Sequence, residues 1–402
     1  MPTEKMPKPE QGQPAQRAHD IVVFGATGFT GRLTAEYLAR HAPDGCRWAL
    51  AGRNTAKLEQ VRDQLATISP ALADLPLLRA DVTDPDSLTE VARSTRVVIT
   101  TVGPYLLHGE PLVAACAAEG TDYVDLTGEP EFVDRMYLAH QDTAVASGAR
   151  LVHACGFDSI PHDLGARWTV LQLPEGEPIT MRGVVRAGAQ FSGGTFHSAM
   201  TAFSRAGQMR AAMRQRREKE ARPTDGRRSR AVAGKPHRDR ELGYWLLPMP
   251  TIDPLVIARS GAALARYGPD FCYSHYAGTR TLRYAAGGAV GAGGMLLAAQ
   301  VPPLRKALLG RVKQGEGPSV ARRAKSWFTV DFVAESAGTT VHTRVSGGDP
   351  GYTETAKMLA ESALCLALDD NPATAGQVTT AVAMGEHLTQ RLIDAGITFD
   401  VR

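Results

Sequence analysis

Gly25-Ala26-Thr27-Gly28-Phe29-Thr30-Gly31 is the stretch that decides the fold. It reads G-x-x-G-x-x-G, and its neighbours give the spacing meaning. Ile21-Val22-Val23-Phe24 before it is an apolar run long enough for a buried strand. Arg32 to His41 after it puts Leu33, Tyr37 and Leu38 on one helical face. Strand, glycine turn and helix in that order form a dinucleotide-binding unit. Gly25 lets the chain turn sharply, Gly28 lets the backbone approach a pyrophosphate, and Gly31 lets the helix pack close to the sheet. The free N–H groups and the positive end of the helix dipole then face the phosphates, so Thr27, Phe29 and Thr30 are expected to line the cofactor with the three glycines.

The pattern continues outward. Trp48-Ala49-Leu50-Ala51 reads as a second strand, then comes a helix with Leu58, Val61 and Leu65. Pro76 to Ala80 reads as a third strand, and Val97 to Thr101 as a fourth. Tyr123-Val124-Asp125 and Arg150 to His153 extend the alternation, which implies βαβ units and a parallel sheet. The expected fold class is therefore α/β: an N-terminal Rossmann-type parallel sheet, a second α+β domain and closing C-terminal helices. The expected boundaries are a disordered leader over 1–19, a nucleotide domain over 20–165, an α+β substrate domain over 166–347, and C-terminal helices over 348–402 that pack back on the first domain. Within the second domain, strands are expected over Ile179–Val185, near Val256–Arg259, over Trp327–Glu335 and over Thr339–Ser346. Helices are expected over Thr195–Met213, Thr353–Leu368 and Gly376–Ala395.

The strand ends specify the cofactor. An NAD site commonly has a carboxylate after the second strand to bond the ribose hydroxyls; Gly52-Arg53-Asn54 stands there instead. Arg53 could pair with a 2′-phosphate and stack on adenine, with Asn54 beside it, which points to NADP(H). Asp81 and Val82 end the next strand, in position for the adenine edge, and Asp84 nearby suits a helix N-cap. Val102, Gly103 and Pro104 end the fourth strand, where this fold places ligands, and are expected near the nicotinamide ribose.

Composition excludes several classes. The 402 residues are 43% apolar with a formal net charge of +3, which gives no reason to expect nucleic acid. Cys46, Cys116, Cys155, Cys272 and Cys365 are odd in number and form no CxxC pair, which argues against disulfides and a zinc ribbon and for a reducing, cytoplasmic setting. No H-E-x-x-H, paired-Cys cluster or His triad stands out, so no metal is expected. There is no G-x-S-x-G elbow, and no Tyr has a Lys four residues on, which disfavours short-chain dehydrogenase chemistry.

Further motifs carry a resemblance. Ala51-Gly52-Arg53, Val102-Gly103-Pro104-Tyr105, Asp125-Leu126-Thr127-Gly128-Glu129, Cys155 to Asp163 (CGFDSIPHD), Gly193-Gly194-Thr195, Gly315-Glu316-Gly317-Pro318 and Gly348-Asp349-Pro350-Gly351-Tyr352 join the glycine turn. Together they resemble the saccharopine dehydrogenase-like oxidoreductase family, and within it the actinobacterial trans-acting enoyl reductases. The resemblance covers almost everything after residue 20. It implies an NADP-binding Rossmann domain with a second α+β domain inserted before the closing helices. Two departures stand out: Thr379-Thr380-Ala381 replaces a Thr-Pro-Ala-type turn, and the basic segment 214–240 matches no motif.

The expected function is NADPH-dependent reduction of an activated acyl (enoyl) substrate in lipid or polyketide metabolism, the substrate being a small molecule or carrier-bound. An imine-reducing or saccharopine-like amino-acid dehydrogenase is the alternative enzyme, and a non-catalytic NADP-binding protein at lipid or membrane is the alternative from another class. An enolate formed by hydride addition needs a hydrogen-bond donor and a proton. Tyr105, Asp158 and His162 are the candidates, with Ser159 as a further one, although Asp158 and Ser159 also suit a cap for a helix beginning near Pro161. Tyr284 to Val301 is uncharged over eighteen positions and flanked by Arg280, Arg283, Arg305 and Lys306. A packed helix or an interfacial one fits better than a spanning one, so peripheral contact at the inner face of the membrane stays open, as does a homodimer. Arg214, Arg216, Arg217, Arg227, Arg228 and Arg230 lack interleaved aromatics and default to a solvated face.

Overall fold

The computed structural model describes residues 17–189, 200–201, 203–311 and 317–402. Its first sheet is parallel. The strands are β1 (His19–Phe24), β2 (Trp48–Gly52), β3 (Leu77–Arg79), β4 (Thr95–Thr100), β5 (Asp122–Val124), β6 (Arg150–Val152) and, from the far end of the chain, β14 (Gly376–Val378). Their order is β14-β6-β5-β4-β1-β2-β3, so the chain reverses direction across the sheet at β1, between β2 and β4. Ile21 is opposite both Trp48 and Val97. Ile21, Val22 and Val23 are fully buried, because helices cover both faces, and this is why the strand reads as a continuous apolar run.

The second sheet is mixed. It contains β7 (Ile179–Ala187), β8 (Arg228–Ala231), β9 (His237–Arg238), β10 (Trp245–Pro248), β11 (Asp270–Thr279), β12 (Phe328–Ser336), β13 (Thr339–Gly347) and β15 (Thr398–Val401). The path is β15-β13-β12-β7-β11-β10-β9, with β8 added beside β11. β12 and β13 form a hairpin through Ala337 and Gly338, both at positive φ, as a two-residue turn matched to strand twist requires. Phe271 and Tyr273 of β11 are fully buried and alternate with partly exposed Cys272 and Ser274.

Three expected elements differ. Val256–Arg259 lies in the helix Asp253–Ala263, where Pro254 in the first turn starts the helix and Val256, Ile257, Ser260 and Gly261 form its buried face. Gly376–Ala395 is divided: β14 comes first, with Gly376 at φ +85°, then the short helix Thr380–Ala383 capped by the Thr379 hydroxyl, then the helix Gly385–Asp394. The expected helix over Thr195–Met213 is represented by Ala206–Lys219; residues 195–199, like Gly193 and Gly194, lie outside the described residues. Arg216 also departs from the solvated face expected of the basic segment. It is buried, 3.2 Å from Asp134, with its guanidinium over the Tyr137 ring.

The helix Leu282–Gln300 exposes Leu282, Tyr284, Val290 and Leu297. Among the described residues no single helix is long and apolar enough to cross a membrane.

The chain's end is stitched into both sheets, through β14 and β15. One buried carboxylate secures this return. Asp163, in the helix Ile160–Val170, accepts from Ser260 Oγ (2.5 Å), Thr380 Oγ1 (2.7 Å) and the Ala381 N–H (2.8 Å). Burial raises its pKa, opposed by those donors. Asp163→Ala strands three buried donors, each worth about 1–3 kcal/mol, so denaturant unfolding should show a loss of about 3 kcal/mol or more. Asp163→Asn should lose less: its oxygen can serve Thr380 and Ala381, and its amide can donate to Ser260 Oγ, which already faces Thr379 Oγ1.

Candidate cofactor site and the carboxyl edge of the sheet

The glycine turn is built by close approach. Gly25, at φ +88°, donates its N–H to the Ala51 carbonyl across β2, and Gly28 donates to the Gly25 carbonyl. At Gly31 a Cβ would lie 2.3 Å from the Gly25 oxygen and 2.8 Å from Thr101 Oγ1, so only glycine lets the helix Phe29–His41 sit this near the turn. That helix starts without a side-chain cap, which leaves its first N–H groups available to an anion. The residues therefore fit a pyrophosphate cradle.

Distant motifs converge on the same turn. Tyr352 meets the Phe29 ring edge-on at 4.9 Å, the Arg323 guanidinium lies 5.7 Å from its centroid, and a Cβ at Gly317 would strike the ring. Gly315 and Glu316 lie outside the described residues.

At the end of β2, Arg53 is exposed. Asn54 caps the next helix by accepting from the Lys57 N–H, so its oxygen is occupied. Asp81 at the end of β3 accepts from the Thr83 N–H and hydroxyl, both at 2.9 Å; those bonds foremost, with Arg53 a lesser contributor, hold its pKa below the usual carboxylate value. Asp84 caps its helix through Ser87. Val82 packs partly buried against the cluster around Val22 and Ala51. Beyond β4 the Gly103–Pro104 peptide is cis, and the Val102 N–H donates to Thr100 Oγ1.

The three candidates for chemistry occupy different surroundings. Tyr105 is buried; its hydroxyl donates to the Thr100 carbonyl and accepts from the Leu126 N–H, both at 3.1 Å. Burial pushes this phenol well above its usual value. Its backbone N–H and that of Leu106 donate to Glu129, a residue not singled out from sequence. Asp158 is half-buried, with Oδ2 against Gly128, where a Cβ would come within 3.1 Å. Neither it nor Ser159 makes a side-chain cap for the helix Ile160–Val170. Burial, then the Asp253 carboxylate, pushes Asp158 up to about 7. His162 is buried, facing Asp253 and His275, and burial holds its pKa below the usual imidazole value despite Asp253 and the Phe157 carbonyl.

Asp253 and His275 also escaped the sequence reading, and Asp125 entered it only as the end of a strand and part of a family motif. Asp125 is fully buried and accepts from the Thr127 and Ala154 N–H groups and the Tyr123 hydroxyl, with His153 Nδ1 at 2.6 Å, tying the loops after β5 and β6. The Asp253-Pro254 helix start and the alternation of Phe271, Tyr273 and His275 are the local signals that could have placed the first two.

Residues 21–152 match the model of the saccharopine dehydrogenase NADP-binding domain. The chain is 38% identical to a Mycobacterium tuberculosis protein whose name assigns it, provisionally, to the trans-acting enoyl reductases, over 95% of this chain and 97% of that one. It is 35% identical to the trans-acting enoyl reductase of Mycobacterium leprae, over 96% and 98%. The chain belongs to the saccharopine dehydrogenase-like oxidoreductases, in their trans-acting enoyl reductase branch. Saccharopine dehydrogenase (L-Glu forming) of Saccharomyces cerevisiae shares the fold, with a TM-score of 0.56 and 12% identity over 96% of this chain and all of that one. As a member of this family the protein is an NADP-dependent oxidoreductase, with NADP(H) as its cofactor.

Gly31→Ala must force the Gly25 carbonyl away from the helix. NADPH titration followed by fluorescence should show at least about a tenfold loss of affinity, equivalent to one lost charge-assisted hydrogen bond.

Proposed function

We propose that the protein reduces an activated, enoyl-type acyl group with NADPH, the acyl chain arriving on a carrier protein or on coenzyme A, in lipid or polyketide metabolism. The names of its relatives support the enoyl substrate. The observation that carries the reading is the position of Asp158: a half-buried carboxyl against Gly128, beside the loops that leave the carboxyl ends of β5 and β6, where ligands lie in this fold.

Bound NADPH supplies the hydride. The glycine turn and the uncapped helix hold the pyrophosphate, Arg53 takes the 2′-phosphate, Asp81 and Val82 border the adenine, and Val102-Gly103-Pro104 supports the nicotinamide ribose. Asp158 hands a proton to the substrate carbon next to the thioester. Tyr105 positions the turn after β4, since its hydroxyl is held between Thr100 and Leu126, and His162 acts from behind, since it is closed off from solvent. The exposed apolar face of Leu282–Gln300 is the surface through which a lipid-like chain would be met.

Arg53→Ala should weaken NADPH by about ten- to a hundredfold, the worth of a charge-assisted bond, and leave NADH binding unchanged. Equal affinity for both cofactors in the wild type would remove Arg53 from its role. Asp158→Asn should lower kcat for an enoyl thioester by about 10²–10⁴ with NADPH binding intact, as expected for loss of a proton donor. Oxidation of NADPH only with a keto acid plus an amine would replace the enoyl reading with imine reduction. NADPH binding without turnover on either substrate class, together with sedimentation on lipid vesicles, would favour a non-catalytic role.

A further inference from the structure

Three buried side chains, His162 among them, converge on one point. Asp253 opens the helix Asp253–Ala263, His162 lies in the first turn of the helix after β6, and His275 comes from β11. They are 1%, 1% and 3% exposed. His162 Nδ1 lies 3.4 Å from Asp253 Oδ1, and His275 Nε2 lies 3.6 Å from Asp253 Oδ2. Neither contact is a hydrogen bond: among the described residues, both ring nitrogens of His162 and Nε2 of His275 are buried without a well-aligned partner, the Phe157 carbonyl standing near the His162 ring. Among the described residues, Asp253 receives the neutral hydroxyls of Ser159 (3.2 Å) and Thr251 (2.5 Å).

We propose that His162, Asp253 and His275 form a binding site for a divalent cation of the zinc class. The ligand atoms lie within 4.8 Å of one another. Bonds of about 2.0–2.1 Å to a tetrahedral zinc place neighbouring ligand atoms roughly 3.3–3.4 Å apart, within reach of a small adjustment from a set whose atoms all lie within 4.8 Å, with His162 on one Asp253 oxygen and His275 on the other. A proton shared between imidazole and carboxylate would instead draw nitrogen and oxygen to about 2.7–2.9 Å with good alignment. Two imidazoles and one carboxylate suit zinc, cobalt or nickel better than magnesium or calcium, which take mainly oxygen. Three protein ligands leave a fourth position, which the Ser159 hydroxyl or a water can fill.

The surroundings suit one ligand to the required form. Tyr273 Oη is 2.8 Å from His275 Nδ1. When Nδ1–H donates to that oxygen, Nε2 keeps its lone pair and faces Asp253, the usual arrangement behind a metal-bound histidine. The Tyr273 hydroxyl fits because residue 183 on the neighbouring strand is glycine; a Cβ there would lie 2.0 Å from it. The cation would join the helix that follows the parallel sheet to the central strands of the second sheet. It neutralises a buried carboxylate whose hydrogen-bond donors are two neutral hydroxyls.

The site is closed, so the cation is expected to enter during folding, and the test is metal content rather than activity. Full-length protein from zinc-supplemented culture, gel-filtered into metal-free buffer, should carry about one zinc per chain by mass spectrometry. His162→Ala and Asp253→Asn, each checked for folding by circular dichroism, should fall below about a tenth of an equivalent. Protein from cobalt-supplemented culture should show the visible absorption of tetrahedral cobalt(II), and His275→Ala should not. Where those variants fail to fold, Tyr273→Phe should weaken zinc against a competing chelator by about 10–100-fold. Folded wild type without metal from either culture overturns the site. So does zinc retained in full by the folded variants, or unchanged chelator competition in Tyr273→Phe. Because these readouts need no turnover, failure of the site and failure of the enoyl reading are separable.

Discussion

The architecture depends on how three buried carboxylates are compensated at the junction of the two sheets. Each has been removed from water, and each would cost several kcal/mol if left bare. Asp125 is met by two backbone N–H groups, a tyrosine hydroxyl and His153. Asp163 is met by two hydroxyls and a backbone N–H from segments far apart in the chain. Asp253 is met by two hydroxyls and faces two imidazoles with which it makes no hydrogen bond. Asp125 organises the carboxyl edge of the first sheet by tying the loops after β5 and β6. Asp163 draws the C-terminal return against the helix that leaves that edge. Asp253 brings the second sheet to the same helix.

That helix, Ile160–Val170, is therefore the joint between the halves of the molecule. Gly165 packs so tightly against Phe332 of β12 that a Cβ would lie 2.4 Å from the ring. On the same helix Asp163 reaches Ser260 and Thr380, and His162 faces Asp253. A segment that must touch both sheets can spare few surface positions, and nine of its eleven residues are buried. The sequence CGFDSIPHD is specific because it fills this position, and its polar members Asp163 and His162 point into the protein.

What could be read from sequence was what is local. The strand, glycine turn and helix are consecutive, and the requirement at Gly31 comes from Gly25, six residues away, with Thr101 adding to it. The first sheet was legible for the same reason, since each strand is followed by its own helix. β14 was not: Gly376–Val378 is too short to show a period, and only its pairing with β6 makes it a strand. Val256–Arg259 reads as an apolar run in either conformation, and Pro254 was the stronger signal. The partners of His162 lie at positions 253 and 275, brought to it by a topology that spacing along the chain does not encode.

The same division separates the glycine turn from the carboxyl edge. The turn is built from backbone, so it is recognisable from glycines alone. The side chains at the carboxyl edge come from different segments, here the loops after β5 and β6. The second sheet adds buried residues such as Tyr273 and His275, which carry no motif. Even the turn is not purely local in the folded protein, because Tyr352 and Gly317 from beyond the second sheet's central strands close on Phe29. The second half of the chain thus packs on the cofactor turn directly. A change in how it seats would be felt first at Phe29, at the start of the helix that faces the phosphates.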